Sequence, residues 1–231
     1  MNAIKQIKTT IITIFQVDDI DIHSLKRDSA IQKIQDNFQL KKLQLPGQIA
    51  IPLNQIILQH GEYKYNAKSY TLDQIIIEER KITINILSNS EIADCFFEDL
   101  VKILKSIDTR EHVGTYEPLI KTYETACVLK LNFSLDKAIK NINHRELNKV
   151  ISENNSHGAT ITLIPSALKF QIQYSDIPEK LEKNKISISD KAFFIELREM
   201  TDPYDKIYYT TSPTDTRTHL TLLKTLEEMI K

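Results

Sequence analysis

An internal repeat constrains the fold of this chain more than any other feature of its sequence. Both halves follow the order strand, helix, several strands and long helix, with an offset of roughly 115 residues. Three short landmarks recur in the same order: an Ile-Pro pair at 51–52 and 164–165, an apolar triplet before Glu at 75–78 and 193–196, and a Ser-x-x-acid sequence at 88–91 and 212–215. The sequence therefore predicts a duplicated unit.

The spacing of apolar residues predicts the elements of the first half. Alternation of apolar and polar residues indicates strands, and apolar positions three or four apart indicate helices. We expect strands over 7–17, 70–78 and 81–87 and helices over 24–38 and 88–107. The extended run over 48–59, interrupted by Pro52, is either one kinked strand or two strands. The last helix is expected to be capped by Ser88.

The second half is predicted in the same way. We expect strands over 125–133 and 206–211, a helix over 138–151, and a final helix capped by Ser212. Gly158 opens an extended run, as Gly47 does in the first half. We divide the chain into a first half-repeat at 1–110, a connector at 111–119 and a second half-repeat at 120–231. The halves should share one sheet, because two short sheets would leave edges unpaired.

A duplicated β-α-β-β-β-α unit predicts an α+β fold, in which a curved and mostly antiparallel sheet carries its helices on one face. In its order of elements this layout resembles the TATA-box-binding-protein-like fold, with two half-saddles related by a pseudo-twofold axis. The resemblance is one of layout and carries over no functional residue. It implies a basic saddle with Phe wedges, whereas the strands here mix Gln, Asn, Thr, Glu and Lys with Ile.

A tandem of ferredoxin-like domains, as in RNA-processing proteins of bacterial immunity, is the alternative layout. Those proteins usually have a Gly-rich loop that this sequence lacks.

Composition narrows the classes of function. Lys plus Arg total 30 against 31 Asp plus Glu, and this balance argues against a dedicated polyanion binder. Two cysteines cannot make a disulfide scaffold, and four glycines leave little room for a phosphate-binding loop. The sequence has no nucleophile elbow and no zinc-ligand spacing. We therefore favour a non-enzymatic protein with no catalytic residue, no metal ligand and no cofactor.

The apolar run at residues 11–17 is too short to span a membrane and is closed by Asp18 and Asp19. No small-residue cleavage site follows it, so we interpret it as a strand and not as a signal peptide. No other stretch approaches the about 18 apolar residues of a membrane helix. The sequence predicts a cytoplasmic protein without membrane contact.

An acidic cluster follows the first predicted strand. Asp18, Asp19, Asp21 and His23 supply three carboxylates and an imidazole, and hard cations prefer carboxylate oxygens. The cluster lacks the Gly of a calcium loop, and the matching loop at 134–137 does not repeat it. We interpret it as a solvated loop whose acids favour a helix start. A metal-dependent enzyme centred on these residues is the third functional hypothesis.

Asp73 and the sequence Glu79-Arg80-Lys81 resemble the Asp…Glu-x-Lys pattern of nucleases, in which two carboxylates hold Mg²⁺. In that pattern Glu and Lys lie inside a strand. Here they fall at the turn between two predicted strands, so we predict a charged hairpin.

Tyrosines and lysines alternate at residues 62–70. Such a pattern can stack on and neutralise single-stranded nucleic acid, and it is also typical of an exposed hairpin. A second tyrosine group lies in what we take as the matching hairpin of the other half. Tyr is favoured at protein interfaces. We predict an interaction surface made of Tyr63, Lys64, Tyr65, Lys68, Tyr70, Tyr204, Tyr208 and Tyr209.

Taken as a whole, the sequence predicts a binding or scaffold protein, a subunit of a larger bacterial cytoplasmic assembly, with defence as one setting. Its partner would be another protein or a second copy of the chain. A saddle that binds nucleic acid is the alternative hypothesis.

Overall fold

The computed structural model describes residues 2–44, 54–138, 165–173, 178–187 and 189–230. The strands are β1 (Asn2–Ile14), β2 (Lys42–Gln44), β3 (Gln55–Tyr65), β4 (Lys68–Glu78), β5 (Lys81–Ile86), β6 (Ile120–Lys130), β7 (Ala167–Ile172), β8 (Lys191–Leu197) and β9 (Ile207–Ser212). The helices are α1 (Ile22–Leu25), α2 (Asp28–Phe38), α3 (Ser90–Ile107), α4 (Leu135–Ala138), α5 (Glu179–Lys183) and α6 (Thr216–Ile230). A 3₁₀ turn covers Pro203–Asp205.

All nine of these strands belong to one sheet, in the order β2-β3-β4-β5-β1-β6-β9-β8-β7. Every pair of neighbours is antiparallel. β1 and β6 meet at the centre, where their pairing runs from Asn2↔Lys130 to Ile14↔Ile120. The other strands of each half follow outward in reverse chain order. The α+β class and the antiparallel sheet predicted from the sequence are confirmed.

The longer helices lie on one face of the sheet. The register pairs Ile11 with Tyr123 and Ile7 with Cys127, so the same face continues from β1 into β6. On this face the core around α2 and α3 includes Ile11, Ile75, Ile84, Phe96 and Leu100. The core around α6 includes Cys127, Leu129, Tyr208 and Leu223. Across the described ranges, no helix has the length and apolarity that a membrane span requires.

The helix predicted over 24–38 forms as two helices. α1 ends at Leu25 and α2 begins at Asp28, and Arg27 between them has an extended backbone. The spacing of apolar residues is compatible with either arrangement, so it could not reveal the break. Ile34 and Phe38 are buried in the core, as that spacing predicts.

Both helix caps differ from the predicted ones. At α3 the cap is Asn89 and not Ser88, because Asn89 Oδ1 accepts a hydrogen bond from Ile92 N at 3.0 Å. At α6 the carboxylate of Asp215 accepts a hydrogen bond from Thr218 N at 3.1 Å. Asn, Asp and Ser are about equally good caps. The sequence therefore offers several adjacent candidates, and the prediction of Ser88 and Ser212 as the caps is wrong.

Asn66 and Ala67 form the two-residue turn that joins β3 to β4. Their φ angles are 48° and 59°, and the residues on either side of them, Tyr65 and Lys68, are paired. Two consecutive positive φ values are typical of a type I′ turn, whose twist matches that of a hairpin. The predicted hairpin at 62–70 is present.

Two glycines allow close approaches of the backbone. A Cβ at Gly61 would lie 2.6 Å from Leu40 Cδ2 and 2.7 Å from Phe38 O, and one at Gly114 would overlap Asp19 O. Gly61 thus lets the link from α2 to β2 cross β3, and Gly114 lets the connector pass the loop after β1. The predictions for Gly47, Pro52, Gly158 and the helix beyond Ala138 concern residues outside the described ranges.

Candidate functional site

Helices α1, α2, α3, α4 and α6 pack on one face of the sheet and leave the opposite face uncovered. In β5, for example, Ile82, Ile84 and Ile86 are buried on the helix side, while Thr83 and Asn85 on the other side are only half-buried. This alternation is expected of an antiparallel sheet with one face toward solvent. We call the surface formed by Thr83, Asn85 and the side chains level with them on the other strands the helix-free face.

A row of uncharged polar side chains crosses the helix-free face. The register aligns Gln59, Gln74, Asn85 and Thr10 on four successive strands. Thr10 Oγ1 donates to Asn85 Oδ1 at 2.6 Å, and Asn85 Nδ2 donates to Gln74 Oε1 at 3.4 Å. Because these groups already bond one another, covering them with a partner leaves fewer polar atoms without a hydrogen bond.

A row of β-branched side chains runs beside the polar row, two residues along each strand. All of its members are half-buried, and none is charged. The row consists of Ile57, Ile76, Thr83, Ile12 and Thr122. Apolar area that remains in contact with water at these positions can still be buried by a partner.

The helix-free face carries charges of both signs. Lys8 Nζ lies 2.8 Å from Asp73 Oδ2, and Lys81 Nζ lies 2.5 Å from Glu78 Oε2. Exposed pairs of this kind contribute little to stability. Their importance is that acids lie beside lysines on the same surface. The described side chains of the face include the lysines Lys8, Lys64, Lys81, Lys130 and Lys169 and the acids Glu62, Asp73, Glu78, Glu124 and Glu196.

An aromatic pair lies on the second half of the same face. The ring centroids of Phe194 and Tyr209 are 5.9 Å apart, and Tyr209 is 38% exposed. Val128 is paired with Tyr209 on the next strand. Partial burial raises the pKa of the Tyr209 phenol, so the hydroxyl stays protonated and able to donate. This pair offers a rigid apolar anchor with a polar tip.

Two of the eight residues predicted for an interaction surface lie in the core. Tyr63 is 3% exposed and donates to Asp99 Oδ2 at 2.8 Å, and burial raises the pKa of its phenol. Tyr208 is 1% exposed, donates to Phe133 O at 3.2 Å and stacks on the Phe133 ring. Both hydroxyls are used inside the chain. Neither ring can contact a partner.

The other predicted residues of the first hairpin divide between the two faces. Tyr65, Lys68 and Tyr70 lie on the helix side, where both tyrosines pack against the core, while Lys64 lies on the opposite side. Successive side chains of a strand point in opposite directions. The alternation of Tyr and Lys in the sequence therefore separates the rings from Lys64 and does not interleave them on one surface.

The second tyrosine group does not lie in a matching hairpin. Tyr204, in the 3₁₀ turn, is 83% exposed. The second tyrosine group belongs to the β8–β9 connection. In the sheet, β9 lies next to β6 in the second half, just as β5 lies next to β1 in the first half. By strand order this connection corresponds to β4–β5 and not to β3–β4. The registers place both tyrosine hairpins at the end of the sheet where β1 begins.

The acidic residues after β1 hold backbone segments in place. Asp19 Oδ1 accepts from the N and Oγ1 of Thr115 at 3.0 and 3.2 Å. Asp21 Oδ1 accepts from Ser24 N at 3.1 Å and so caps α1. Two of the three carboxylates are therefore already bonded to protein groups. Within the described ranges, no group of three or more His, Cys, Asp and Glu residues could hold a metal ion.

Arg110, directly before the connector, bonds the same loop. Its guanidinium donates to the carbonyl oxygens of Asp18 and Asp19 and to the carboxylate of Asp108. The hydrogen bond that Arg110 donates to the carboxylate lowers the pKa of Asp108. The cluster is a structural clamp between the connector and the loop after β1.

The nuclease-like residues are spread along β4 and its turn. Asp73 lies at an irregularity of β4, between Leu72 and Gln74, and bonds Lys8. Glu79 and Arg80 form the turn between β4 and β5. This agrees with the charged hairpin that the sequence predicts.

A polar cluster that no sequence pattern indicated joins the two halves on the helix side. Ser90 N donates to Thr216 Oγ1 at 2.9 Å, and Thr216 N donates to Ser90 Oγ at 3.1 Å. Each is the first residue of its helix, α3 or α6, and each is 6% exposed. The hydroxyls thus satisfy amides that the helices themselves leave free.

The central strand pair continues this cluster. Thr9 is paired with Thr125, and both are fully buried. Thr9 Oγ1 donates to Ser88 O just before α3, and Thr125 Oγ1 donates to Thr214 O just before α6. The same contact is made once in each half.

His219 is fully buried beside this cluster. One ring nitrogen lies 2.9 Å from Thr210 Oγ1 and the other 2.7 Å from Ser212 Oγ. Burial lowers the pKa of His219 to about 4, so the ring is neutral near pH 7. A Ser–His contact of this length can activate a nucleophile. Both residues are 0% exposed, however, so no substrate reaches them and the contact is structural.

No protein-family model matches the chain, and no curated protein matches it. A functional assignment therefore has to come from the geometry of the helix-free face.

Proposed function

We propose that this chain is a non-enzymatic binding or scaffold protein, a subunit of a larger bacterial cytoplasmic assembly, and that it binds a protein through the helix-free face. The observation that carries the proposal is the pair of uncharged rows on strands β3, β4, β5 and β1. The cores of protein interfaces are depleted in charge and enriched in aromatic residues. The Phe194–Tyr209 pair adds such residues on the same face.

The proposal includes an internal duplication with the layout of the TATA-box-binding-protein-like fold. The reciprocal hydrogen bonds of Ser90 and Thr216 support it, as do the equivalent hydroxyl contacts of Thr9 and Thr125. Thr9 and Thr125 face each other where a pseudo-twofold axis would pass through the sheet. Such an axis would give the helix-free face two related halves.

The mixture of charges favours a protein over a nucleic acid as the partner. Nucleic-acid affinity rests mainly on lysines and arginines that neutralise phosphates. Among the described side chains of the helix-free face, acids lie beside the lysines, and Lys8 and Lys81 are already bonded to one. These acids would repel a polyanion and so offset part of the attraction of the lysines.

The test compares the complexes formed by the wild-type chain and by two variants in cells of the source organism. Gln74→Lys places a charge in the polar row, and Tyr204→Lys places one on the 83% exposed ring away from the strands. We expect a protein partner to co-purify in stoichiometric amount with the wild type and with Tyr204→Lys. We expect it to be absent from the complexes of Gln74→Lys. Thermal melts establish that both variants fold. A partner that Gln74→Lys retains would contradict the location, and a chain that purifies alone would contradict the scaffold function.

A nucleic-acid-binding saddle is the second candidate, favoured by one observation. The rings of Phe194 and Tyr209 lie on the same face as Lys8 and Lys130, and aromatic rings flanked by lysines bind single strands. If this candidate is right, short DNA or RNA binds at low salt and is released as salt rises. Lys8→Glu with Lys130→Glu would then abolish binding, while Lys64→Glu with Lys68→Glu tests the first hairpin. Absence of binding at low salt excludes the candidate.

A further inference from the structure

We infer that the protein bound on the helix-free face is a second copy of this chain, docked face to face about a twofold axis. The inference rests on the proposed use of this face and names its occupant. Charge complementarity, area and the chemistry of the two rows each support it.

Exposed charges of both signs on the helix-free face favour an identical face as the partner. Glu124, Glu196, Lys130 and Lys169 are exposed on the helix-free face, and none has an ion-pair partner within the described part of the chain. In a twofold dimer every contact between two residues occurs twice. A face that exposes free acids and free lysines together can pair each with the opposite charge of its copy. A face of one sign would repel an identical face.

The size of the sheet is compatible with a face-to-face dimer. Nine strands about 4.8 Å apart, each with about six residues of 3.3 Å rise, give a flat outline of roughly 38 Å by 20 Å, on the order of 760 Å². A stable interface of standard size buries about 800 Å² of accessible surface on each partner. Contact over most of this outline is therefore of the order that a stable dimer requires of each subunit.

The two uncharged rows can be covered by a second sheet at low cost in free energy. Thr10, Asn85 and Gln74 are joined by hydrogen bonds along the polar row, so their contact with a second sheet leaves few groups unsatisfied. Stacked sheets lie about 10 Å apart with interdigitating side chains. Half-buried Ile12, Ile57 and Ile76 have the size and spacing for such packing.

The experiment measures the mass of the particle in solution for the wild type and for charge variants of the face. One variant carries Glu124→Lys and Glu196→Lys, and the other carries Lys130→Glu and Lys169→Glu. All four side chains are exposed, so the fold tolerates these changes. A matched control carries Lys224→Glu and Glu228→Lys on the exposed side of α6. Light scattering behind size exclusion is run from about 1 to 100 μM, where dimers of ordinary affinity form.

We expect the wild type and the control to have twice the mass of one chain, and each charge variant alone to have the mass of one chain. An equimolar mixture of the two charge variants should recover the dimer, with an apparent Kd at least tenfold lower than that of either alone. A wild type that stays monomeric at 100 μM overturns the inference but leaves the protein-binding function with a different partner. A dimer that persists in both charge variants also overturns it, because the contact then lies elsewhere.

Discussion

Ser90 and Thr216 cap one another's helices. The N–H of each donates to the hydroxyl of the other, at 2.9 and 3.1 Å, although the two residues are 126 positions apart. The first turns of α3 and α6 therefore share one set of capping groups. The stability of each helix start depends on the presence of the other half.

We expect Ser90→Ala and Thr216→Ala each to lower the free energy of unfolding by about 1–2 kcal/mol, since each removes a buried cap. The double variant should lose less unfolding free energy than the sum of the losses in the two single variants. The reason is that the second substitution removes a hydroxyl whose partner has already changed. The coupling should be at least about 0.5 kcal/mol in urea unfolding. Thr221→Ala, at an exposed position of α6, is the control and should change stability by less than about 0.5 kcal/mol. Strictly additive losses would contradict reciprocal capping.

The neutral state of His219 predicts acid sensitivity. Its pKa is about 4 in the folded protein and about 6.5 when unfolded, so the unfolded chain takes up the proton first. The stabilisation is present above pH 6.5 and is lost as the pH falls toward 4, by about 3 kcal/mol in total. We expect His219→Gln to have a shallower decline in unfolding free energy than the wild type over this range. Parallel curves for the two proteins would show that the ring titrates normally.

The turn between β3 and β4 predicts a stabilising substitution. Ala67 has a φ of 59°, where a Cβ is disfavoured and Gly is at ease. Ala67→Gly, which leaves Asn66-Gly in a type I′ turn, should raise the unfolding free energy by about 1 kcal/mol. Ala126→Gly in the extended strand β6 is the control and should lower it by about 0.5–1 kcal/mol. Equal effects at both positions would count against the turn geometry.

The approach of the connector to the loop after β1 predicts a strongly destabilising substitution. A Cβ at Gly114 would overlap the backbone oxygen of Asp19, which is held in place by a hydrogen bond from Arg110 Nη2 at 3.0 Å. Gly114→Ala should lower the midpoint of thermal unfolding, by about 1–3 kcal/mol in free energy. Val113→Ala, at an exposed neighbouring position, should leave the midpoint nearly unchanged. A Gly114→Ala protein as stable as the wild type would contradict this packing.

The elements that could be predicted from the sequence are those with a regular local pattern. The stripe of Phe96, Leu100 and Ile107 predicts α3, and the alternation in residues 81–87 predicts β5. The break between α1 and α2 and the choice of Asn89 over Ser88 as a cap depend on tertiary contacts. Local spacing carries no information on these.

The helix-free face could not be located from the sequence because its rows are assembled from distant strands. Thr10 and Asn85 bond each other across 75 positions, and only the strand order brings them together. The predicted surface relied on Tyr63 and Tyr208, whose burial is decided by which side of their strands faces α3 and α6. Composition cannot distinguish the two sides of a strand.

The central position of β1 has a consequence for how the chain is made. β1 precedes the other described strands of the sheet in the chain, and its two neighbours follow late. Asn85 of β5 is 75 positions after its contact in β1, and Thr122 of β6 is 110 positions after its own. A chain still on the ribosome therefore exposes both edges of an isoleucine-rich strand until these segments appear. Pairings so distant in sequence form slowly, and unpaired strand edges attract other chains. Interrupted synthesis of this protein should yield fragments that aggregate, even though the finished sheet closes both edges of β1.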